Sequence, residues 1–148
     1  MGKYNWLFSA LLLLQLLIAS SYAPSTFDIL ISVTNIRNEK GTIQIQVYHT
    51  KNAFETKKPY KTYRVTKQGK IKGHTLHYTV SGLKKGSYGL ALLDDENNNK
   101  IMDYGWVLPT EGFGFSDYYH TSWNRPAFNN FDFYLDANKI VTMKVRYL

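Results

Sequence analysis

The sequence predicts an all-β fold: one antiparallel β-sandwich of seven to eight strands. Three observations predict it. Apolar residues recur at every second position in segment after segment, the pattern of strands with one buried face. Clusters of Gly, Asn, Asp and Lys separate those segments at short intervals, as in sandwiches. No stretch beyond residue 23 keeps a helical period, and 12 Tyr, 8 Phe and 3 Trp suit strands better than helices. At 148 residues the chain has room for one domain and too little for two ordinary ones.

The elements follow in order. Phe27, Ile29, Ile31 and Val33 share a face. Asn38-Glu39-Lys40-Gly41 is turn chemistry, and Ile43, Ile45 and Val47 then alternate with Gln44, Gln46 and Tyr48. These two strands read as a hairpin. Lys51 to Tyr60 has no clean period; Phe54 is its anchor and Pro59 argues against a central strand. Tyr63 to Thr66 reads as a short strand, and Leu76, Tyr78 and Val80 point inward from the next. After the turn Leu83-Lys84-Lys85-Gly86, Tyr88, Leu90 and Leu92 share a face, leaving the small Gly89 and Ala91 on the other, where another segment can approach closely. Gly105 to Ser116, dense in glycine and aromatics, reads as an ordered loop. Phe128, Phe131, Phe133 and Leu135 mark the next strand. Asp136-Ala137-Asn138-Lys139 is a hairpin turn, and Val141, Met143, Val145 and Tyr147 form the last strand.

The N-terminus predicts export. Lys3 precedes a run of 14 mostly apolar residues, Trp6 to Ala19, followed by Ser20, Ser21, Tyr22 and Ala23. This is the charged, apolar, small-residue order of a secretory signal peptide over residues 1–23, with the sandwich domain at 24–148. The apolar run is short of the ~20 residues that span a bilayer, so no permanent membrane span is expected after cleavage. The destination is the periplasm or the medium. Cleavage after Ala23 fits the small-residue rule through Ser21, and cleavage after Ser21, using Ala19, is the alternative imposed by Pro24.

Composition narrows the chemistry. The chain has no cysteine, which excludes disulfides, thiolate metal sites, a Cys nucleophile and a lipid-modified Cys anchor. The formal net charge is +7, but the basic residues are scattered and no nucleic-acid motif accompanies them; solubility accounts for the charge and no nucleic-acid partner is expected.

One stretch carries a site. Asp95, Asn97, Asn99 and Asp103 place side-chain oxygens on alternate residues, the way a chain wraps a hard cation such as calcium, and Ile101 adds a backbone carbonyl. Position six of such a loop is Lys100, where glycine is usual, and position twelve is Trp106, so this is not an EF-hand. A further oxygen must come from Asp94, Glu111 or Asp117, with Glu111 taken here as the sixth ligand. With few carboxylates the expected affinity is weak, on the order of 10⁻⁴ to 10⁻³ M, and the ion's role structural. The competing reading is an Asx-rich turn whose side chains bond their own backbone amides.

Trp106, Tyr118, Tyr119 and Trp123, together with Tyr104, lie in irregular segments. They offer either a platform for a glycan or another envelope component, or a satellite core closing one end of the sandwich. For catalysis the signals are thin. His74 and His77 are three apart, which on a strand sends them to opposite faces. Gly112-x-Gly114-x-Ser116 is neither a nucleophile elbow nor a phosphate loop. Glu111, Asp117 and His120 are the only hydrolase set to suggest itself. The expected role is therefore non-catalytic, in binding or envelope structure, with a carbohydrate-binding module as the alternative.

The order of these motifs resembles an exported bacterial family, the domain of unknown function 2141. The resemblance rests on Leu83-x-x-Gly86-x-Tyr88, then Asp95-Glu96-Asn97 through Asp103, then Pro109, Glu111, Gly112, Gly114, Phe115 and Ser116. It implies an exported bacterial β-sandwich similar to transthyretin-like or carboxypeptidase-regulatory-like modules, within the transthyretin-like or immunoglobulin-like class of sandwich, and no established activity. The family commonly has glycine where this chain has Asn98 and Lys100.

Overall fold

The computed structural model describes residues 26–148. The signal-peptide segment, residues 1–23, lies outside the described residues. Eight strands form two facing sheets: β1 (Thr26–Thr34), β2 (Thr42–Tyr48), β3 (Lys61–Thr66), β4 (Leu76–Lys84), β5 (Gly86–Asp95), β6 (Gly112–Phe115), β7 (Asp132–Leu135) and β8 (Lys139–Lys144). One sheet runs β4-β1-β8 and the other β3-β2-β5-β6, with β7 sharing β5's outer edge: it pairs with Gly86–Gly89 while β6 pairs with Ala91–Asp94. All pairs are antiparallel except β1–β8, which is parallel.

The period-two faces land where alternation puts them. Ile29, Ile31 and Val33 of β1 meet Ile43, Ile45 and Val47 of β2 across the sandwich, with Tyr88, Leu90 and Leu92 of β5 and Val141 and Met143 of β8 in the same cluster. The two hairpins expected from the sequence are not formed. β1 and β2 belong to different sheets, as do β7 and β8. In each case a turn joins two strands that each own one apolar face. Pairing face to face buries both, whereas side-by-side pairing would leave the joint face in need of another cover. Asn35, at a φ of 63°, breaks β1 before the crossing.

Two further expectations are corrected. Lys51–Glu55 is a short helix, α1, capped by Thr50, whose hydroxyl accepts the Ala53 amide at 3.2 Å; Phe54 is its one buried residue, the expected anchor. Gly112–Phe115, read as loop, is strand β6. Its glycines explain why. A Cβ on Gly112 would lie 2.4 Å from Val145 and Tyr147, so the inward face of β6 must be bare for the chain after β8 to lie against it. That tail joins the sheets: the Val145 amide donates to Thr34 and the Arg146 amide to Phe113, at 2.9 and 2.8 Å.

A second apolar cluster sits on the outer face of the larger sheet: Tyr48, Phe54, Ala91, Phe115, Phe128 and Phe131, covered by α1 and the 3-10 turn Phe128–Asn130. Gly89 has the close approach its size predicted, since a Cβ there would be 2.6 Å from Phe128.

The interior end of the sandwich holds a charge pair that period-two reasoning did not anticipate. Lys67 and Asp94 are both at 0% exposure and bonded at 2.5 Å; the Tyr147 hydroxyl donates to the other Asp94 oxygen at 2.6 Å. Lys67 also donates to Asn38 Oδ1 at 3.2 Å. Burial pushes the Asp94 carboxyl above its ordinary value, opposed by the hydrogen bonds from Lys67 and Tyr147. The Tyr147 phenol is raised as well, by burial and by its bond to Asp94. Removing one partner strands the other charge in a dry site. Lys67→Met should therefore destabilise the protein by about 3–5 kcal/mol, and the double variant Lys67→Met/Asp94→Leu should recover most of that loss. Urea denaturation of both variants checks it; equal stability of the single and double variants would contradict the account.

Candidate functional site

β5 ends on adjacent carboxylates, Asp94 and Asp95, which alternation turns to opposite faces of the sheet. Asp94 faces the interior pair. Asp95, equally buried, faces the loop that follows: Oδ1 accepts the Asn99 amide at 3.1 Å, while Oδ2 accepts the Lys100 amide at 2.9 Å and Gln44 Nε2 at 3.1 Å. Asn97 Oδ1 accepts the Asn99 amide and Asn99 Oδ1 the Ile101 amide, two successive Asx turns. The Asp103 carboxylate accepts the side-chain amides of Asn97 and Asn99 at 2.5 to 2.9 Å.

Glu111 closes the loop from its far end. Its side chain is buried, with Oε1 accepting the Glu96 amide at 3.0 Å and Oε2 the Asp103 amide at 3.2 Å. Burial raises this carboxyl above its ordinary value, against the lowering effect of the Asp103 and Glu96 amides. Outside it, Glu96 is bonded by Arg37 and Asn38; burial works to raise its carboxyl, yet these partners hold it below the ordinary value. Arg37 also reaches the Thr110 carbonyl at 3.0 Å. Residues 103–110 fold back on themselves through Gly105 to Leu108 and Thr110 to Asp103 bonds. The loop thus has a pinned base, Asp95 and Glu111, and a folded tip.

The structure brings Asp95, Asn97, Asn99, Asp103 and Glu111 into one hydrogen-bonded group, with Ile101 in the same turn. Their oxygens are the hard donors calcium takes, and each Asn oxygen that accepts an amide keeps a second lone pair. Among the described residues no three Asp, Glu, His or Cys side chains form a metal-ligating cluster, so a cation here depends on the amide oxygens of Asn97 and Asn99. The donor types are oxygens of the kind calcium takes rather than the nitrogen and sulfur donors of a transition metal. The glycine-less positions still wind as such a loop needs: Asn98 has a φ of 63° and Lys100 of 72°.

The aromatic residues separate. Trp123 and Tyr104, both exposed, border an open groove of about 580 Å³ on the outer face of the larger sheet. Trp106 is fully exposed beyond it, Tyr119 lies under Lys144 Nζ at 4.9 Å, and Tyr118 packs on the outer cluster; none of these three lines the groove. The hydrolase set does not share partners. Glu111 is engaged by two backbone amides, Asp117 accepts the Thr142 amide at 2.8 Å, and His120 is buried among Phe113, Phe115 and Tyr118. Sequence reasoning missed Gln44, Arg37 and Asn38, which serve the loop from distant positions and carry no local signal. It also missed the groove, which exists only once β2, β5 and β6 lie side by side.

Fold and loop define an all-β sandwich that carries a carboxylate-pinned loop at one end of its central strand. The chain belongs to a family described as an uncharacterized protein conserved in bacteria (DUF2141), whose model matches residues 31–143. No curated protein and no solved structure matches it.

Left-handed backbone at a residue with a Cβ costs about 1–2 kcal/mol, which glycine avoids. Lys100→Gly should stabilise the protein by up to about 1 kcal/mol. Asn98→Val, with a branched side chain in the same conformation, should destabilise it by a similar amount or more. Thermal unfolding of the two variants decides; a destabilised Lys100→Gly would show that the lysine side chain contributes more than its backbone strain removes.

Proposed function

We propose that this chain is an exported, non-catalytic binding module of the bacterial envelope or its surroundings, with its loop end braced by calcium. Asp95, Asn97, Asn99 and Asp103 supply side-chain oxygens, Ile101 its carbonyl, and Glu111 the ligand from the far end of the loop. The observation that supports this reading is the double pin. Two buried carboxylates, Asp95 and Glu111, already draw in the backbone amides of Glu96, Asn99, Lys100 and Asp103. The chain is therefore wound around its oxygen donors before any ion arrives, which reduces the ordering that binding must drive. When bound, calcium would offset carboxylate charge in the loop and link its two ends. In a chain without cysteine this takes the place of a cross-link. Among the described residues no helix is long and apolar enough to cross a membrane.

Weak extracellular calcium sites bind at about 10⁻⁴ to 10⁻³ M, so 10 mM calcium should add roughly 1.4–2.7 kcal/mol by mass action. In a domain this size that raises the melting temperature by several degrees, on the order of 5–10 °C. A thermal melt of the exported protein in calcium against chelator measures it. Asp103→Ala should abolish the difference while leaving the chelated protein folded. Identical melts of the parent protein in the two buffers would end this reading.

A further inference from the structure

The groove on the outer face of the larger sheet has a chemistry of its own. Its floor is Ala91, Leu93, Phe113 and Phe115, side chains that β5 and β6 turn away from the sandwich core. One wall is the tip of the pinned loop, with Ile101, Tyr104 and Val107 exposed; the other is the segment carrying Trp123. Isolated apolar surface residues are ordinary, but these line one concave face of a size typical of small-molecule sites, roughly 300–1,000 Å³.

The charged side chains around it have one sign. Lys57, Lys100 and Arg125 line the groove, and none of the described residues lining it is an Asp or Glu. Elsewhere the chain mixes the signs, with 18 Lys and Arg against 11 Asp and Glu overall. Lys57 and Lys100 both lack a carboxylate partner among the described residues, and both project from backbone at positive φ, 54° and 72°. Arg125 is fixed: its guanidinium lies 3.8 Å above the Phe54 ring and donates to the Phe54 carbonyl at 2.7 Å.

His120 adds an independent observation. It lines the groove at 7% exposure, and one ring nitrogen, Nε2, is held by the Asn124 carbonyl. The other, Nδ1, is the buried side-chain polar atom without a hydrogen-bond partner among the described residues. Buried polar atoms are nearly always satisfied, and an exception asks for a missing partner. The carbonyl fixes Nε2–H as the donor, which leaves Nδ1 as an acceptor without a partner in a residue that lines the groove.

We infer that this groove binds a single-chain amphiphile: a long hydrocarbon body against the Leu93–Phe113–Phe115 floor and an anionic carboxylate or phosphate head drawn by the cationic side chains that line it, Lys57, Lys100 and Arg125. The inference deepens the reading of the chain as a binding module and is independent of its calcium brace. A neutral sugar would use Trp123 and Tyr104 as stacking faces but would leave the three cationic side chains without a role.

The test uses the protein purified as the cell exports and processes it, in buffer without added calcium. The probe is cis-parinaric acid, followed by its fluorescence below micelle-forming concentrations. Binding is expected, with displacement by palmitate, by hexadecyl phosphate or by both; which of them competes identifies the head group. Hexadecanol, with the same body and no charge, should compete at least tenfold less well, because a charge-assisted hydrogen bond of about this strength corresponds to a factor of ten or more. The exposed-residue double variant Lys57→Gln/Lys100→Gln should weaken parinarate binding about tenfold at an unchanged melting temperature. The inference is overturned if parinarate does not bind, if hexadecanol competes as well as palmitate, if the double variant binds normally, or if a linear oligosaccharide is the effective competitor. A calcium-dependent melt with no parinarate binding removes the amphiphile and leaves the brace; binding with no calcium effect does the reverse.

Discussion

Everything distinctive about this molecule hangs from two neighbouring carboxylates at the end of its central strand. β5 pairs with β2 along its length and, over Ala91–Asp94, with β6 on the other side, so Asp94 is held by both strands and Asp95 by β2. The alternation of a strand then sends Asp94 inward and Asp95 outward. Inward, a charge in a dry interior is tolerable only with partners, and Lys67 and Tyr147 supply them from positions 27 and 53 residues away along the chain. Outward, the same requirement is met by backbone amides, and meeting it winds the following loop. One short acidic pair thus anchors the chain's tail to the core and the loop to the sheet.

β6 carries the other half of the arrangement. Its inward face is bare, Gly112 and Gly114, which lets the chain after β8 lie directly against it and close the sandwich. Its outward face is Phe113 and Phe115, which form the floor of the groove. The residue before it, Glu111, holds the base of the acidic loop. A five-residue stretch therefore links core closure, loop geometry and the candidate binding surface, and displacement of β6 would disturb all three.

Much of this was written locally. The core-facing residues of β1, β2, β5 and β8 were legible because strand side chains alternate between faces; burial alternates in β1 and β8, whereas in β2 and β5 the outer face is covered as well. Asp95, Asn97, Asn99 and Asp103 were legible as a group because oxygen donors at alternate positions serve either a cation or their own amides, and both uses gather them in one turn. Glu111 was identified as part of the site, but not its means: two amides eight and fifteen residues away. The hairpins were misread because a turn has the same residues whether it joins neighbours in one sheet or crosses between two. β6 was misread because glycine, weak in a strand by itself, is required there by a segment some thirty residues further on.

The amino-acid sequence by itself determined that this is an all-β chain, which residues face its core, and where an oxygen-rich turn interrupts it, since each of these depends on contacts within a few residues. The tertiary structure alone decided which strands share a sheet, that Lys67 would meet Asp94, and that cationic side chains from three separate segments would surround one apolar groove. Those outcomes depend on surfaces that come into existence only when distant strands pack, and no local pattern encodes a partner that far along the chain.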